Sequence, residues 1–391
     1  MKPSLYLCLK NPFSARDFER MGVAALSAYF DVRILDCTNW LMPVAARTRT
    51  TDLFDVVGLQ RISSLGQFKM ALSDAGYAID YVGQFSPPAI LMFEALRQRD
   101  IKLVVIDSGA FPMPDITIGS HGLARKLWDA IRQGGLRTHF LSMVNRVLLH
   151  FLPDQRPDLA LVSGNAWRKD PRFALARKQV HAHSFDYERF RVVKQGSPPE
   201  EIKDLFGYAV YLDEDLAEHE DNEELGFTTP IKAQRFYPEI NTLFDYFEKK
   251  TGLKVVIAGY PSRKAGVANR FNGRRVVFGL TAELIRGSSL VFAHASTAIS
   301  YAVLWRRPLI FLTSDVIAAS WYGPWIKAPS LLLEAPLVNL ESRVDLPVTL
   351  CINETAYSFY EHTFIKAAES PERSLWDTFI QSVQHMQFER P

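Results

Sequence analysis

Cysteine is scarce in this chain. It holds three, Cys8, Cys37 and Cys351, scattered and odd in number. That pattern excludes a disulfide framework and a cysteine-based zinc spacing, and it fits a reducing compartment. Neither sign of charge is in excess: 45 Lys and Arg stand against 43 Asp and Glu, a net +2. A nucleic-acid partner gripped by a basic face is therefore not expected. The N-terminus, MKPSLYLCLKNPF, has too short an apolar run for a signal peptide, so the reading is cytoplasmic. One stretch, Ser288–Trp305, approaches membrane-span length, but His294, Ser296, Thr297 and Ser300 interrupt it. It reads as core of a soluble domain. No repeat at a fixed period is present.

What the chain does have is apolar residues, 48% of 391, enough for two domains each with its own core. Short β-rich runs alternate with helical spacing. In the first half, strands are expected at Leu5–Leu9, Val32–Asp36, Tyr77–Tyr81, Lys102–Ile106 and Leu159–Val162, with helices at Phe68–Ala75 and Ala89–Arg97. In the second half, strands are expected at Tyr208–Leu212, Lys254–Ala258, Arg275–Phe278, Leu290–Phe292, Pro308–Leu312 and Pro347–Cys351. Helices there are expected at Pro238–Thr251, Ala282–Arg286 and Ser374–Phe388. Alternation of this kind predicts parallel sheets with helices on both faces and ligands at the strands' carboxyl ends. The Gly-, Ser- and Pro-punctuated stretch Val193–Asp204 marks the link, giving domains 1–200 and 201–391. His121–Leu152 has helical spacing and carries Arg125, Lys126, Arg132, Arg137 and Arg146. It is either a core helix with a basic solvated face or a groove for a lipid-linked acceptor at a membrane surface.

Four strand-end loops of the second half carry chemistry. Asp213-Glu214-Asp215 follows YAVYL; Asp213, abutting the strand, can act as general base or as nucleophile at an anomeric carbon. Asp213 and Asp215 together could instead hold a divalent cation. Tyr260-Pro261-Ser262-Arg263-Lys264 follows the next strand, and Arg263 and Lys264 suit a phosphate or a sugar carboxylate. Phe278-Gly279-Leu280-Thr281-Ala282-Glu283 reads as a turn into a helix with Thr281 as N-cap, able to frame a base or ribose. His294-Ala295-Ser296-Thr297 lies between a buried strand and an apolar helix, where free N–H groups and two hydroxyls suit an anion such as a nucleotide phosphate. An ordinary strand-to-helix junction with a Ser or Thr cap has the same appearance.

The order YLDEDLAEHED, VVIAGYP, FGLTAEL, VFAHASTAISYAVLWRRPLIFL resembles bacterial surface-polysaccharide glycosyltransferases of the GT-B type. Within them it is most similar to the retaining β-Kdo transferases of lipopolysaccharide O-antigen synthesis, family GT99. The resemblance covers the second half, with HSFDYERF at His183–Phe190 as a supporting match. It implies two Rossmann-like domains facing a cleft, with a C-terminal helix closing back. It also implies CMP-β-Kdo as donor, no cofactor or metal, and a lipid-linked O-antigen glycan as acceptor, met from the cytoplasmic face of the inner membrane. Asp213 would be the nucleophile of a double displacement that retains the β anomer. His294, Ser296 and Thr297 would take the CMP phosphate, Phe278 and Thr281 would lie at the cytidine, and Glu283 would belong to the donor site. Related CMP-sugar enzymes often carry His-Pro where this chain has Tyr260-Pro261; tyrosine is no cation near neutral pH. The alternatives are another CMP-sugar, such as a sialic-acid relative, a metal-dependent GT-A-like transferase, and a non-catalytic glycan-binding module.

Overall fold

Runs such as KLVVI and KVVIA have too few residues for a helix and too many β-branched side chains to favour one, and both become buried strands. The computed structural model describes residues 2–42, 54–83, 87–113, 156–218, 229, 231–260, 267–342 and 351–388. The first sheet contains β1 (Ser4–Leu9), β2 (Asp31–Asp36), β3 (Leu59–Arg61), β4 (Gly76–Tyr81), β5 (Lys102–Ile106), β6 (Leu159–Val162) and β7 (Lys178–His181). Its order is β3-β2-β1-β4-β5-β6-β7, parallel throughout. The second contains β8 (Tyr208–Leu212), β9 (Lys254–Gly259), β10 (Val276–Phe278), β11 (Leu290–Ala293), β12 (Leu309–Thr313) and β13 (Leu337–Asn339). Its order is β10-β9-β8-β11-β12-β13, again parallel. Both orders run outward one way and then the other, the doubly wound pattern, which opens a crevice where the direction reverses. In the second sheet that switch point lies between β8 and β11.

The chain forms two units. One comprises the described parts of Met1–Ser108, Ile118–His183 and Glu369–Pro391; the other those of Gly109–Thr117 and Ser184–Ala368. The change of unit therefore falls at His183/Ser184, upstream of the expected division at residue 200. The reason is local. Ser184 caps the helix Phe185–Gln195 by accepting from the Tyr187 N–H at 3.2 Å, while its own N–H donates to the Ile365 carbonyl at 2.9 Å within the second unit. The C-terminal helix Leu375–Phe388 belongs to the first unit. There Phe379 packs on Phe30 with ring centroids 5.6 Å apart.

The long helix Ala233–Thr251 begins earlier than the expected Pro238, which sits inside it at the loss of one N–H bond. It buries Phe236, Tyr237, Ile240, Asn241, Phe244 and Phe247 against the second sheet's core. Gly252, at φ +74°, ends it with its N–H on the Glu248 carbonyl. The expected strand Pro347–Cys351 and the basic stretch His121–Leu152 lie, Cys351 apart, outside the described residues. No helix among the described residues is long and apolar enough to cross a membrane.

Gly22 (φ +60°) carries the chain against the C-terminal helix so closely that a Cβ would stand 2.2 Å from Trp376 Nε1. Gly252 has the same left-handed backbone with nothing within 4 Å. Gly22→Ala is thus expected to cost about 2–4 kcal/mol, backbone strain plus overpacking, and Gly252→Ala only about 1 kcal/mol. Urea unfolding of the two variants checks this; equal losses would contradict the contact.

Candidate active site

Asp213, Tyr260, Phe278 and His294 all fall at the carboxyl edge of the second sheet, directly after or at the ends of β8, β9, β10 and β11. The switch point brings the acidic triplet after β8 beside the turn after β11.

Each acid of the triplet has a different fate. The Asp213 N–H donates to the Ala258 carbonyl at 3.1 Å, which stitches the loop to β9. Its carboxylate accepts the Asp215 N–H at 3.0 Å and the Tyr260 N–H. Burial pushes its pKa up to about 6, and the neighbouring Asp215 charge acts in the same direction; the two N–H donors and Arg270 oppose this. Glu214 turns across the switch point. Its oxygens accept the backbone N–H groups of His294 at 3.2 Å and Ala295 at 3.1 Å, joined by that of Ser296. Burial and then Asp213 raise it, to about 8, against the pull of those donors. Asp215 is 1% exposed. It takes the Tyr237 hydroxyl at 3.2 Å and Arg270 Nη1 at 3.1 Å.

The turn after β11 is thus a nest of backbone N–H donors, as its position predicts, but the group it holds is the chain's own Glu214 carboxyl. Three corrections follow. His294 does not offer a cation to a phosphate. It is fully buried, its Nδ1 donates to the Leu312 carbonyl at 2.7 Å, and its ring lies between Tyr211 and Phe236. Burial lowers its pKa to about 4, so it is neutral. Second, the following helix, Ile299–Leu304, starts with Ala298 as N-cap. The Ser296 hydroxyl instead accepts from the Ala298 N–H at 3.3 Å, and Thr297 is exposed. Third, Thr281 is the first residue of the helix Thr281–Gly287 and not its cap. Gly279, at φ +76°, turns the chain so that Leu280 takes the cap position.

Glu283 is buried and ion-paired with Arg189 of the helix Phe185–Gln195, so one face of its carboxylate is already engaged. Phe278 lies over Gly259, where a Cβ would come within 2.5 Å of its ring. Arg263 and Lys264 lie outside the described residues. In the first unit, Asp107 and Ser163 form a buried pair at the ends of β5 and β6, the Ser163 hydroxyl donating at 2.5 Å. The partners that sequence reasoning missed are Arg270, Tyr237 and Arg189. No spacing signals them, because each meets its acid only through the tertiary fold.

The neutral state of His294 has a direct signature. Its ring should show a proton on Nδ1 and no titration between pH 5 and 8, as read by ring-nitrogen NMR. A midpoint near the ordinary histidine value of about 6.5 would contradict this burial.

No family model matches the chain, and no curated protein matches it. Among solved structures it is similar to a UDP-N-acetylglucosamine 2-epimerase (10% identity, TM-score 0.50, covering 100% of this chain and 98% of that one). Others are the UDP-GlcNAc 2-epimerase of Methanocaldococcus jannaschii (9%, 0.49, 98% and 99%) and the MurG of Acinetobacter baumannii (9%, 0.46, 98% and 100%). At such identities the likeness concerns the fold, and the first of these carries it. With the two parallel, doubly wound sheets, it establishes a GT-B-like pair of Rossmann-like domains.

Proposed function

We propose that this chain is a GT-B-type glycosyltransferase that binds a nucleotide-sugar donor in its second unit and moves the sugar to a glycan acceptor. The observation that carries the reading is Asp213, a carboxylate at the switch point whose two acidic neighbours are each engaged elsewhere in the fold. The fold shared with a UDP-N-acetylglucosamine 2-epimerase supports nucleotide-sugar chemistry. The choice of CMP-β-Kdo as donor and of a lipid-linked O-antigen acceptor at the cytoplasmic membrane face rests on the sequence resemblance.

Kdo is a ketose whose anomeric carbon bears a carboxylate. As the bond from that carbon to the CMP oxygen breaks, CMP leaves with the electron pair and positive charge grows on the ring. Ionised Asp213 forms the new bond from the opposite face and gives an inverted glycosyl ester. The acceptor hydroxyl then attacks, releases Asp213, loses its proton to solvent and restores the original configuration. Ser296, exposed Thr297, Arg263 and Lys264 are the groups we assign to the phosphate and the sugar carboxylate. With Glu214 on the nest and His294 neutral, the phosphate charge falls to the two cations. Tyr260 contributes its backbone N–H to Asp213, so the side-chain change from the His-Pro pattern leaves that contact in place. Phe278 and Thr281 are assigned to the cytidine, and Glu283 to the donor site.

The reading assigns no metal, since CMP carries one phosphate. A metal bridging Asp213 and Asp215 would have to compete with Arg270 and Tyr237 for the Asp215 carboxylate.

Asp213→Asn is expected to abolish transfer, by at least about 10³-fold in kcat, while CMP still binds. Near-normal turnover would sink the assignment. In the intact enzyme kcat should fall as pH drops through about 6, where Asp213 takes up its proton. A rate flat from pH 5 to 8 would count against an ionised Asp213. EDTA should leave the rate unchanged; a chelator-sensitive rate restored by a divalent cation would favour the metal-dependent alternative. Donor screening with CMP- and UDP-sugars decides the nucleotide. Consumption of donor without acceptor would point to the epimerase chemistry named for the similar structure.

A further inference from the structure

Asp215 has a φ of +48°, in the left-handed region, where glycine is at ease and Asp is among the few other residues found with any regularity, at some steric cost. Its carboxylate is nonetheless buried, one residue from Glu214 and two from Asp213. A carboxylate enters such a place only with a counter-charge. Arg270 supplies it. Nη1 stands 3.1 Å from Asp215 Oδ1 and donates to the Tyr237 hydroxyl at 3.1 Å, and Nη2 holds Glu218 at 2.6 Å. The Arg270 backbone is itself tied down, since its carbonyl accepts from buried Asn241 Nδ2 at 2.7 Å. A continuous chain of contacts therefore runs from Asn241 and Tyr237 on the long helix, through Arg270, to the Asp215 side chain. It ends at the Asp215 N–H on Asp213 Oδ1.

We propose that Arg270 is a positioning residue that aims the Asp213 carboxylate by holding Asp215 in its left-handed turn. This rests on Asp213 being the reacting carboxylate. A Gly at position 215 would relieve the strain but lose the buried handle by which the loop is held. The charged and titratable groups facing Asp213 are Glu214 and Asp215 from its own loop, Tyr211 from β8, Tyr237 from the long helix, and Arg270. Neutral His294 lies behind Tyr211. Arg270 is the cation among the described ones.

The test uses the full chain with carboxyl-¹³C aspartate, the Asp213 signal being assigned by its loss in Asp213→Asn. In Arg270→Met the Asp213 midpoint should move up, because the cation is gone. In Asp215→Asn it should move down, because a neighbouring anion is gone. Arg270→Lys should return it most of the way to wild type. If Arg270 only supports folding, its loss lets the loop open to solvent and the midpoint falls toward the ordinary value near about 4; that result overturns the proposal. Should Arg270→Met not fold, Tyr237→Phe slackens the same chain of contacts, and an Asp213 titration identical to wild type overturns it. With donor and acceptor supplied, Arg270→Met should lose on the order of 100-fold in kcat with donor KM within about twofold. A lost kcat without a shifted titration also overturns the proposal. If the wild-type protein transfers no sugar from any nucleotide donor, the glycosyltransferase reading fails, while the titrations still decide whether Arg270 positions Asp213.

Discussion

Three carboxylates in a row at a buried strand end repel one another. Two like charges about 4 Å apart in a medium of effective dielectric about 20 cost roughly 4 kcal/mol, so such an arrangement persists only if partners or protons are provided. The fold provides them in two directions. Glu214 reaches across the switch point to the N–H groups of the turn after β11. Asp215 reaches back to Arg270 and Tyr237. The loop is pinned on both sides, and Asp213 is left between the pins with, among the described residues, backbone N–H donors on its carboxylate.

This division of labour explains why the site sits where it does. A doubly wound sheet opens at the strand pair where its direction reverses, here β8 and β11. The nest at the head of β11 would attract any anion in that crevice. In this protein it closes on Glu214, which welds the two strand-end loops together. In the function we propose, a substrate phosphate is then met by side chains, and Arg263, Lys264 and exposed Thr297 are the ones assigned to it.

Much of the architecture was legible from residue pattern. The buried central strands have the β-branched and apolar runs that burial on both faces demands: KLVVI, LALV and YAVYL match Lys102–Ile106, Leu159–Val162 and Tyr208–Leu212 residue for residue. The strands that pattern reading missed, Leu59–Arg61, Lys178–His181 and Leu337–Asn339, are all sheet edges. An edge strand is half-solvated and need not be apolar, so it leaves no run to find. The candidate edge stood out too, because a polar triplet after an apolar strand is conspicuous. What could not be read was how DED and HAST divide their roles. That His294 faces the Leu312 carbonyl, that Glu214 fills the nest, and that Asp215 needs Arg270 are contacts between residues 18 to 81 positions apart.

In the glycosyl transfer we propose, Asp213 is the acid that bonds the sugar. The most direct test of this is intact-protein mass spectrometry during turnover with the CMP-sugar donor, followed by peptide mapping. The account predicts a mass increment of one donor sugar on the peptide that contains Asp213, discharged when acceptor is added. Steady transfer with no adduct on that peptide, even with a slowly discharged donor analogue, would contradict it.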